Sequence, residues 1–384
     1  MRFGIYILGA GFSKPAGLPL AQELWDEVRR RAHNSPVAKH HFEADLRIYL
    51  RYKKECTGKS LTPHEVDFED FMAFLDIEHY LWLRGSDTWS QDGNETQVII
   101  KALIGEILTE RIPSKREIPD LYLRFAEILR PNDYILTFNY DVLLERALEI
   151  AGVRFRLVPE RYKPDPERSD TLLVDSRDEV VIFKLHGSID WFDKKNHVPL
   201  EGGQAARSLP PGWYHPVFDA EEDLGVTRLI EGPCFPTDPL IQVHRVQNIE
   251  KLYSDRFLLR ASPWILNPSH AKMVYTERLK KFWHDLGRAG AFNFDMAIIG
   301  YSLPRQDEYV RQVIWRLAKN YQNVNWGKKR DLKHTKTPVV LINLTKSQKQ
   351  ERQLRQTYAF LNWKRTCPYF KGFNDDALEI LRRR

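Results

Sequence analysis

The feature that most constrains the fold of this chain is a short apolar run that stops at glycines. Residues 3–8 are rich in β-branched and aromatic residues and end at a Gly-Ala-Gly turn (residues 9–11), which predicts a buried strand entering a tight turn. Ser13 can cap the next segment, and Ala21–Arg31 repeats apolar residues at helical spacing. Such a turn allows backbone to approach a phosphate, but glycines that serve only turn geometry fit the same pattern.

The usual dinucleotide fingerprint does not fit this turn. A third glycine is expected where Lys14 stands, and an acidic residue is expected about twenty positions later at the end of a second strand. Residues 33–45 are polar and predict helix or loop instead of that strand. A simple dehydrogenase is therefore excluded, and the turn indicates a phosphate-binding site of another family.

Composition sets the class of protein. A chain of 384 residues with 42% hydrophobic content can bury one large core or two smaller ones. The formal net charge of +6 is spread over mixed stretches, so nucleic-acid contact by the basic tail stays open. There is no apolar run of membrane-spanning length and no signal peptide, so we expect a soluble, cytoplasmic protein without a membrane partner.

The cysteines argue against a metal or disulfide framework. Cys56, Cys234 and Cys367 are odd in number, far apart and without a CxxC pair. We therefore expect neither a structural zinc nor a disulfide scaffold.

The chain predicts an α/β domain that is interrupted twice. Residues 29–130 predict helices, notably at 64–74, 98–108 and 121–129, whose aromatic residues fit a core; they form a helical insertion between 1–28 and 131–384. Residues 193–237 are rich in proline and glycine and predict a loop-rich insertion or flap. Residues 274–287 predict an amphipathic helix, and the tail after Lys346 predicts helical, basic segments.

Polar residues follow each further predicted strand. The strands at 134–138, 179–185, 294–300 and 339–343 alternate with helices, which predicts a Rossmann-like, doubly wound parallel sheet. Because open α/β sheets bind ligands at the carboxyl ends of their strands, these ends are candidate site positions: Asn139, Asp141, His186, Gly300, Ser302 and Asn343. Asp141 fits a helix cap equally well, and a lone histidine such as His186 is often structural.

Five segments in this order resemble the sirtuin-like NAD-binding family, in particular its bacterial branch of antiviral-defence NADases. They are GAGFSKPAGLP, TFNYDVLLERAL, KLHGSIDW, IIGYSLPRQDEYV and VVLINL. The resemblance implies a sirtuin-like Rossmann domain over 1–28 and 131–384, with NAD as substrate. It implies that Asn139 and Asp141 orient the nicotinamide ribose, that His186 is the base, and that the remaining cofactor contacts are Gly9, Ala10, Gly11, Ser13, Gly300, Ser302 and Asn343.

The same resemblance implies hydrolysis of NAD to nicotinamide and ADP-ribose as an effector of abortive infection. Deacylases of the family carry a four-cysteine zinc module that this sequence lacks. A protein deacylase, an ADP-ribosyltransferase and a non-catalytic NAD or ADP-ribose sensor remain alternatives. Control of a toxic activity implies a homo-oligomer, with the helical insertion as contact surface, and a partner such as a HerA-type ATPase or a nucleic-acid-guided sensor.

Overall fold

The computed structural model describes residues 2–36, 38–84, 93–194, 216–254, 262–284, 286–304, 307–328 and 335–383. Most of the proline-rich part of the predicted flap, residues 195–215, lies outside them. The strands are β1 Gly4–Leu8, β2 Tyr134–Thr137, β3 Phe155–Arg156, β4 Tyr162–Pro164, β5 Leu172–Val174, β6 Val180–Lys184, β7 Trp191–Asp193, β8 Val226–Arg228, β9 Val243–Val246, β10 Asp295–Ile299, β11 Val339–Ile342 and β12 Thr366–Tyr369.

The helices are α1 Ala10–Ser13, α2 Ala21–Asn34, α3 Lys39–Thr57, α4 Phe68–Tyr80, α5 Glu95–Arg111, α6 Asp120–Ile128, α7 Leu143–Ile150, α8 Pro216–Asp219, α9 Glu221–Leu224, α10 Ile249–Ser254, α11 Lys280–Trp283, α12 Leu286–Ala289, α13 Glu308–Asn323, α14 Gln348–Thr357 and α15 Asp375–Arg382. Within the described ranges, none of them is both long and apolar enough to cross a membrane.

A seven-stranded parallel sheet forms the centre of the fold, in the order β12-β11-β10-β1-β2-β6-β3. The predicted Rossmann-like α/β class is confirmed. β1, β6 and β10 are buried along their whole length, as expected for apolar strands covered by helices on both faces. The chain order reverses beside β1, because β2 lies on one side of it and β10 on the other.

The register of this sheet brings the ends of five strands level. Leu8 pairs with Ile299 on one side and Thr137 on the other, Thr137 pairs with Lys184, and Ile299 pairs with Ile342. The residues that follow these five positions therefore meet along one edge of the sheet.

Helices α2 to α5 fill most of the predicted helical insertion, and its first boundary falls inside α2. Their aromatic side chains form a core, as predicted: the Trp25 ring stacks on Phe68 at 4.8 Å, and Phe71 packs edge-on against Tyr49. Asp67 caps α4 by accepting a hydrogen bond from the Asp70 amide at 2.9 Å. The helix predicted at 64–74 therefore begins four residues later.

Two predictions about local structure were wrong. Residues 274–287 are not one helix: they form short 3₁₀ turns followed by α11 and the first residues of α12. The tail is not only helical, because β12 adds a parallel edge strand to β11. Strand β3 and two small antiparallel sheets, one of β4 and β5 and one of β7, β9 and β8, were not predicted from the sequence.

Candidate functional site

The turn after β1 packs directly against the turn after β10. The Gly9 amide donates to the Ile299 carbonyl at 3.0 Å, and the Gly11 amide donates to the Gly300 carbonyl at 2.9 Å. A Cβ atom on Gly9 would lie 2.7 Å from the Tyr301 Cα, and one on Gly11 would lie 2.8 Å from the Gly300 Cα. Close backbone packing thus explains these glycines, while phosphate contact remains a prediction.

Ser13, Asn139 and Asp141 form one hydrogen-bonded group at the ends of β1 and β2. The Asn139 Nδ2 donates to the Gly9 carbonyl at 3.1 Å and to the Ser13 Oγ at 3.0 Å, and the Ser13 Oγ donates to the Asp141 Oδ2 at 2.9 Å. The Ser13 side chain therefore does not cap a helix, contrary to expectation. The reverse orientation of the Asn139 amide would set two oxygens against each other at Gly9, so Oδ1 is the atom left to accept from a ligand.

A buried lysine supports this group from below. The Lys184 Nζ donates to the Asp141 carbonyl at 2.5 Å and to the Glu145 Oε1 at 2.7 Å, and both charged side chains are buried. The Asp141 Oδ1 accepts from the Leu143 amide at 3.1 Å, so the cap interpretation of Asp141 is correct. Burial raises the pKa of the Asp141 carboxyl, while Lys184 and the two hydrogen-bond donors oppose that rise. Both carboxylate oxygens are engaged, which suits a positioning role.

His186 lies at the end of β6 in an aromatic enclosure. Its Nε2 is 2.9 Å from the Tyr309 hydroxyl, and its ring packs edge-on against Phe138 at 5.0 Å. Phe138 in turn stacks on Tyr301 at 4.5 Å. Phe138 thus separates His186 from the Asn139 group, although both lie on the same edge of the sheet.

A buried ion pair borders the histidine. The Lys272 Nζ lies 2.5 Å from the Asp307 Oδ1, their side chains are 3% and 4% exposed, and the Tyr301 hydroxyl donates to the Asp307 Oδ2 at 3.1 Å. Burial and, secondarily, Lys272 lower the pKa of His186 to about 3, so the imidazole is neutral at physiological pH. Burial works against ionisation of Asp307, but Lys272 and His186 outweigh it and hold the pKa of Asp307 below its usual value.

The end of β11 is already engaged within the protein. The Asn343 Nδ2 donates to the Tyr301 carbonyl at 3.0 Å, and its Oδ1 accepts from the Leu344 amide at 3.0 Å. Ser302 is exposed beside this bond. Asn343 therefore holds the β10 turn in place, and its contact with an adenosine group stays a prediction, as does that of Ser302.

Several charged and polar groups of this edge were missed from the sequence: Glu145, Lys184, Lys272, Asp307 and Tyr309. Lys184 directly precedes the Leu-His pair of its strand, and a lysine inside a run of buried apolar residues is a usable signal for a buried ion pair. Tyr309 and Asp307 lie within the quoted YSLPRQDEYV segment, but their partners are far away in sequence.

The three cysteines lie in separate elements and none forms a disulfide. Over the described ranges, no group of three or more His, Cys, Asp or Glu side chains is arranged to hold a metal ion.

Residues 133–200 match the family model described as a SIR2-like domain. This stretch carries Asn139, Asp141 and His186, and the match supports a sirtuin-like character for it. No protein with a curated description matches the chain significantly.

Solved structures with similar folds were also found, each covering 100% of this chain. One is from a study of the structural basis of sirtuin substrate affinity (12% identity, 92% of that chain, TM-score 0.33). The others are Sir2Tm bound to a propionylated peptide (11%, 91%, 0.31) and Sir2 in complex with the inhibitor EX-527, 2'-O-acetyl-ADP-ribose and a deacetylated p53 peptide (12%, 92%, 0.31). At these TM-scores the similarities are too weak to assign any residue or activity to this chain.

Proposed function

We propose that this protein is an NAD glycohydrolase, which cleaves NAD to nicotinamide and ADP-ribose. The observation that carries the proposal is the fixed Asn139 amide beside the chain reversal at β1, with a neutral His186 on the neighbouring strand end. The SIR2-like match over the same residues supports NAD as the ligand.

The ligand would lie across the strand ends. The dinucleotide would bind in the crevice where the strand order reverses, with its pyrophosphate at the turn of Gly9, Ala10, Gly11 and Ser13. Its adenosine would extend along Gly300 and Ser302 toward Asn343, and its nicotinamide ribose would face Asn139. Ser13 is buried in its bond to Asp141, so its proposed contribution is through the backbone and through Asn139.

The chemistry asks little of the protein beyond positioning. The C1′–N bond breaks, its electron pair leaves with the nicotinamide nitrogen, and the cationic ring needs no general acid because it departs neutral. An oxocarbenium-like ribose then takes the oxygen of water at C1′. Asn139 Oδ1 would accept a hydrogen bond from that water or from a ribose hydroxyl, and Asp141 would fix Asn139 through Ser13.

His186 would act as the base. Within the described part of the structure its Nε2 is engaged with Tyr309, and no partner is found for Nδ1. In the tautomer that donates from Nε2 to Tyr309, the Nδ1 lone pair is free to take a proton from the attacking water or from a ribose hydroxyl.

The test is incubation of the pure protein with NAD, following nicotinamide and ADP-ribose by chromatography. We expect equal amounts of both products, and Asn139→Ala should lower their release by about 100-fold because the acceptor at the ribose is lost. Asn362→Ala, at an asparagine that caps a distant 3₁₀ turn, is the matched control and should keep the wild-type rate. Tight NAD binding without release, in pure protein and in lysate that contains the neighbouring gene products, would indicate a sensor and contradict the proposal.

We propose further that the protein depletes NAD in the cytoplasm during phage infection, and that it acts as a homo-oligomer controlled by a partner such as a HerA-type ATPase or a nucleic-acid-guided sensor. The resemblance of the motifs motivates this role. An apolar surface of the helical insertion supports self-association, since the end of α4 and the turn after it expose Ile77, Tyr80, Leu81, Trp82 and Leu83.

Light scattering tests the self-association. We expect a mass above that of one chain, and Leu81→Glu with Leu83→Glu should shift it toward a monomer by placing charges in the apolar contact. Tyr52→Glu, at an exposed aromatic residue of α3, is the control and should leave the mass unchanged. A wild-type monomer that is fully active alone contradicts this proposal.

A further inference from the structure

The helical insertion brings a carboxyl group to the buried charges beside His186. Glu69 lies in the first turn of α4, and its Oε2 is buried without a hydrogen-bond partner among the described residues. It interacts electrostatically with Lys272 and Asp307, which are themselves paired. The hydroxyl of Tyr140, whose ring packs near His186, also feels the charge of Glu69. Glu69 therefore belongs to the surroundings of the candidate base although it lies outside the central sheet.

The charges that face Glu69 leave it as the surplus anion of this group. Lys272 and Asp307 compensate each other at 2.5 Å. On its own helix, Asp67 is engaged as the cap of α4, and Asp70 pairs with Lys53 at 3.2 Å and His270 at 3.1 Å. An ionised Glu69 thus adds one uncompensated negative charge next to a neutral imidazole.

Burial raises the pKa of Glu69 to about 7, while Lys272 opposes the rise and Asp307, Asp67 and Asp70 add to it. The folded-state pKa lies above the ordinary value of a glutamate. The carboxyl therefore carries its charge above about pH 7 and loses it as the pH falls through that value.

We propose that Glu69 is a specificity-determining residue that makes the site prefer the cationic nicotinamide ring of NAD over the neutral ring of its reduced form. The inference rests on the proposed function, because it places the nicotinamide near His186. A negative charge in a poorly solvated site stabilises a nearby pyridinium and has no such effect on a neutral dihydropyridine. An acidic residue that only complements the α4 dipole would stabilise the helix without distinguishing the two ligands.

Calorimetric titration with two ligands from pH 6 to pH 8 tests this. The ligands are carba-NAD, a hydrolysis-resistant analogue that keeps the cationic ring, and NADH. In the wild type we expect the preference for carba-NAD to rise about fivefold across this range as Glu69 ionises. Glu69→Gln should remove the rise, and Glu69→Asp should restore part of it. Glu65→Gln makes the same substitution at an exposed glutamate four residues earlier and should keep the wild-type trend.

A preference that rises with pH in Glu69→Gln as it does in the wild type overturns the inference. Equal losses of affinity for both ligands also overturn it, because they indicate a purely structural role. If the wild type shows the pH-dependent preference but never hydrolyses NAD, the proposed function fails and the specificity role of Glu69 stands.

Discussion

His186→Ala is expected to lower the rate of nicotinamide release by about 1,000-fold, the range that a positioned general base contributes. NAD affinity should stay within about threefold, because in our proposal the dinucleotide is held mainly by the turns after β1 and β10 and the imidazole acts on the reacting water or ribose hydroxyl. Single-turnover measurements of free nicotinamide, combined with calorimetric titration of carba-NAD, separate the two quantities.

Tyr309→Phe is the matched control for this substitution. It keeps the imidazole but removes the hydroxyl that lies 2.9 Å from Nε2, so the proposed tautomer loses its partner. We expect a loss of about tenfold, well below that of His186→Ala, since the base itself remains. Wild-type hydrolysis by His186→Ala would show that the base assignment is wrong. A loss of carba-NAD binding equal to the loss of rate would instead make His186 a binding residue.

The depressed pKa of His186 fixes the sign of its effects on pH dependence. With a folded-state pKa of about 3 and an ordinary value near 6.5, the buried imidazole is neutral throughout the physiological range. Its contribution to folding is present above about pH 6.5 and is lost as the pH falls from there toward 3. A change in nicotinamide release near pH 7 would therefore not come from His186, and Glu69 is the group of this site whose pKa is raised to that region.

The central sheet was predictable because its strands are buried runs of apolar residues. β1, β6 and β10 contain the kind of unbroken apolar sequence that only a covered parallel strand requires, and each ends at a glycine or a polar residue that marks the turn. Short strands gave no such signal. β8 is Val-Thr-Arg and β12 contains a proline, so their identity depends on the neighbouring strand to which they pair.

The site was predictable in its positions but not in its connections. Level strand ends place Asn139 and His186 on one edge, as the alternation of strands and helices implied. The bonds that determine their chemistry join distant segments: His186 meets Tyr309, and Lys272 meets Asp307. Lys272 also lies just before the stretch whose helical periodicity was misleading, because short turns there satisfy the same apolar spacing as a continuous helix. Contacts of this kind depend on tertiary packing, for which a single sequence has no local pattern.

Gly300→Ala is expected to destabilise the fold by about 3 kcal/mol or more, from left-handed backbone strain combined with steric overlap. Gly300 has a φ of +63°, and a Cβ atom there would overlap the backbone of Gly11 and Phe12. The backbone has little freedom to relieve this, since the Gly300 amide donates to Ile342 at 2.8 Å and its carbonyl accepts from Gly11. Urea unfolding followed by tryptophan fluorescence measures the loss.

Gly17→Ala separates the two causes, because Gly17 has a φ of +92° but no atom within 4 Å of the position that a Cβ would occupy. Backbone strain alone should cost it about 1 kcal/mol. The difference between the two variants then measures how tightly the turns after β1 and β10 are pressed together. Because NAD is proposed to lie across these turns, Gly300→Ala should also weaken carba-NAD binding by at least about tenfold under conditions where the variant is folded, whereas Gly17→Ala should bind as the wild type does. Equal unfolding free energies for the two variants would mean that the turns yield to a methyl group, and the crevice would then lack the rigidity that precise placement of the ribose against Asn139 requires.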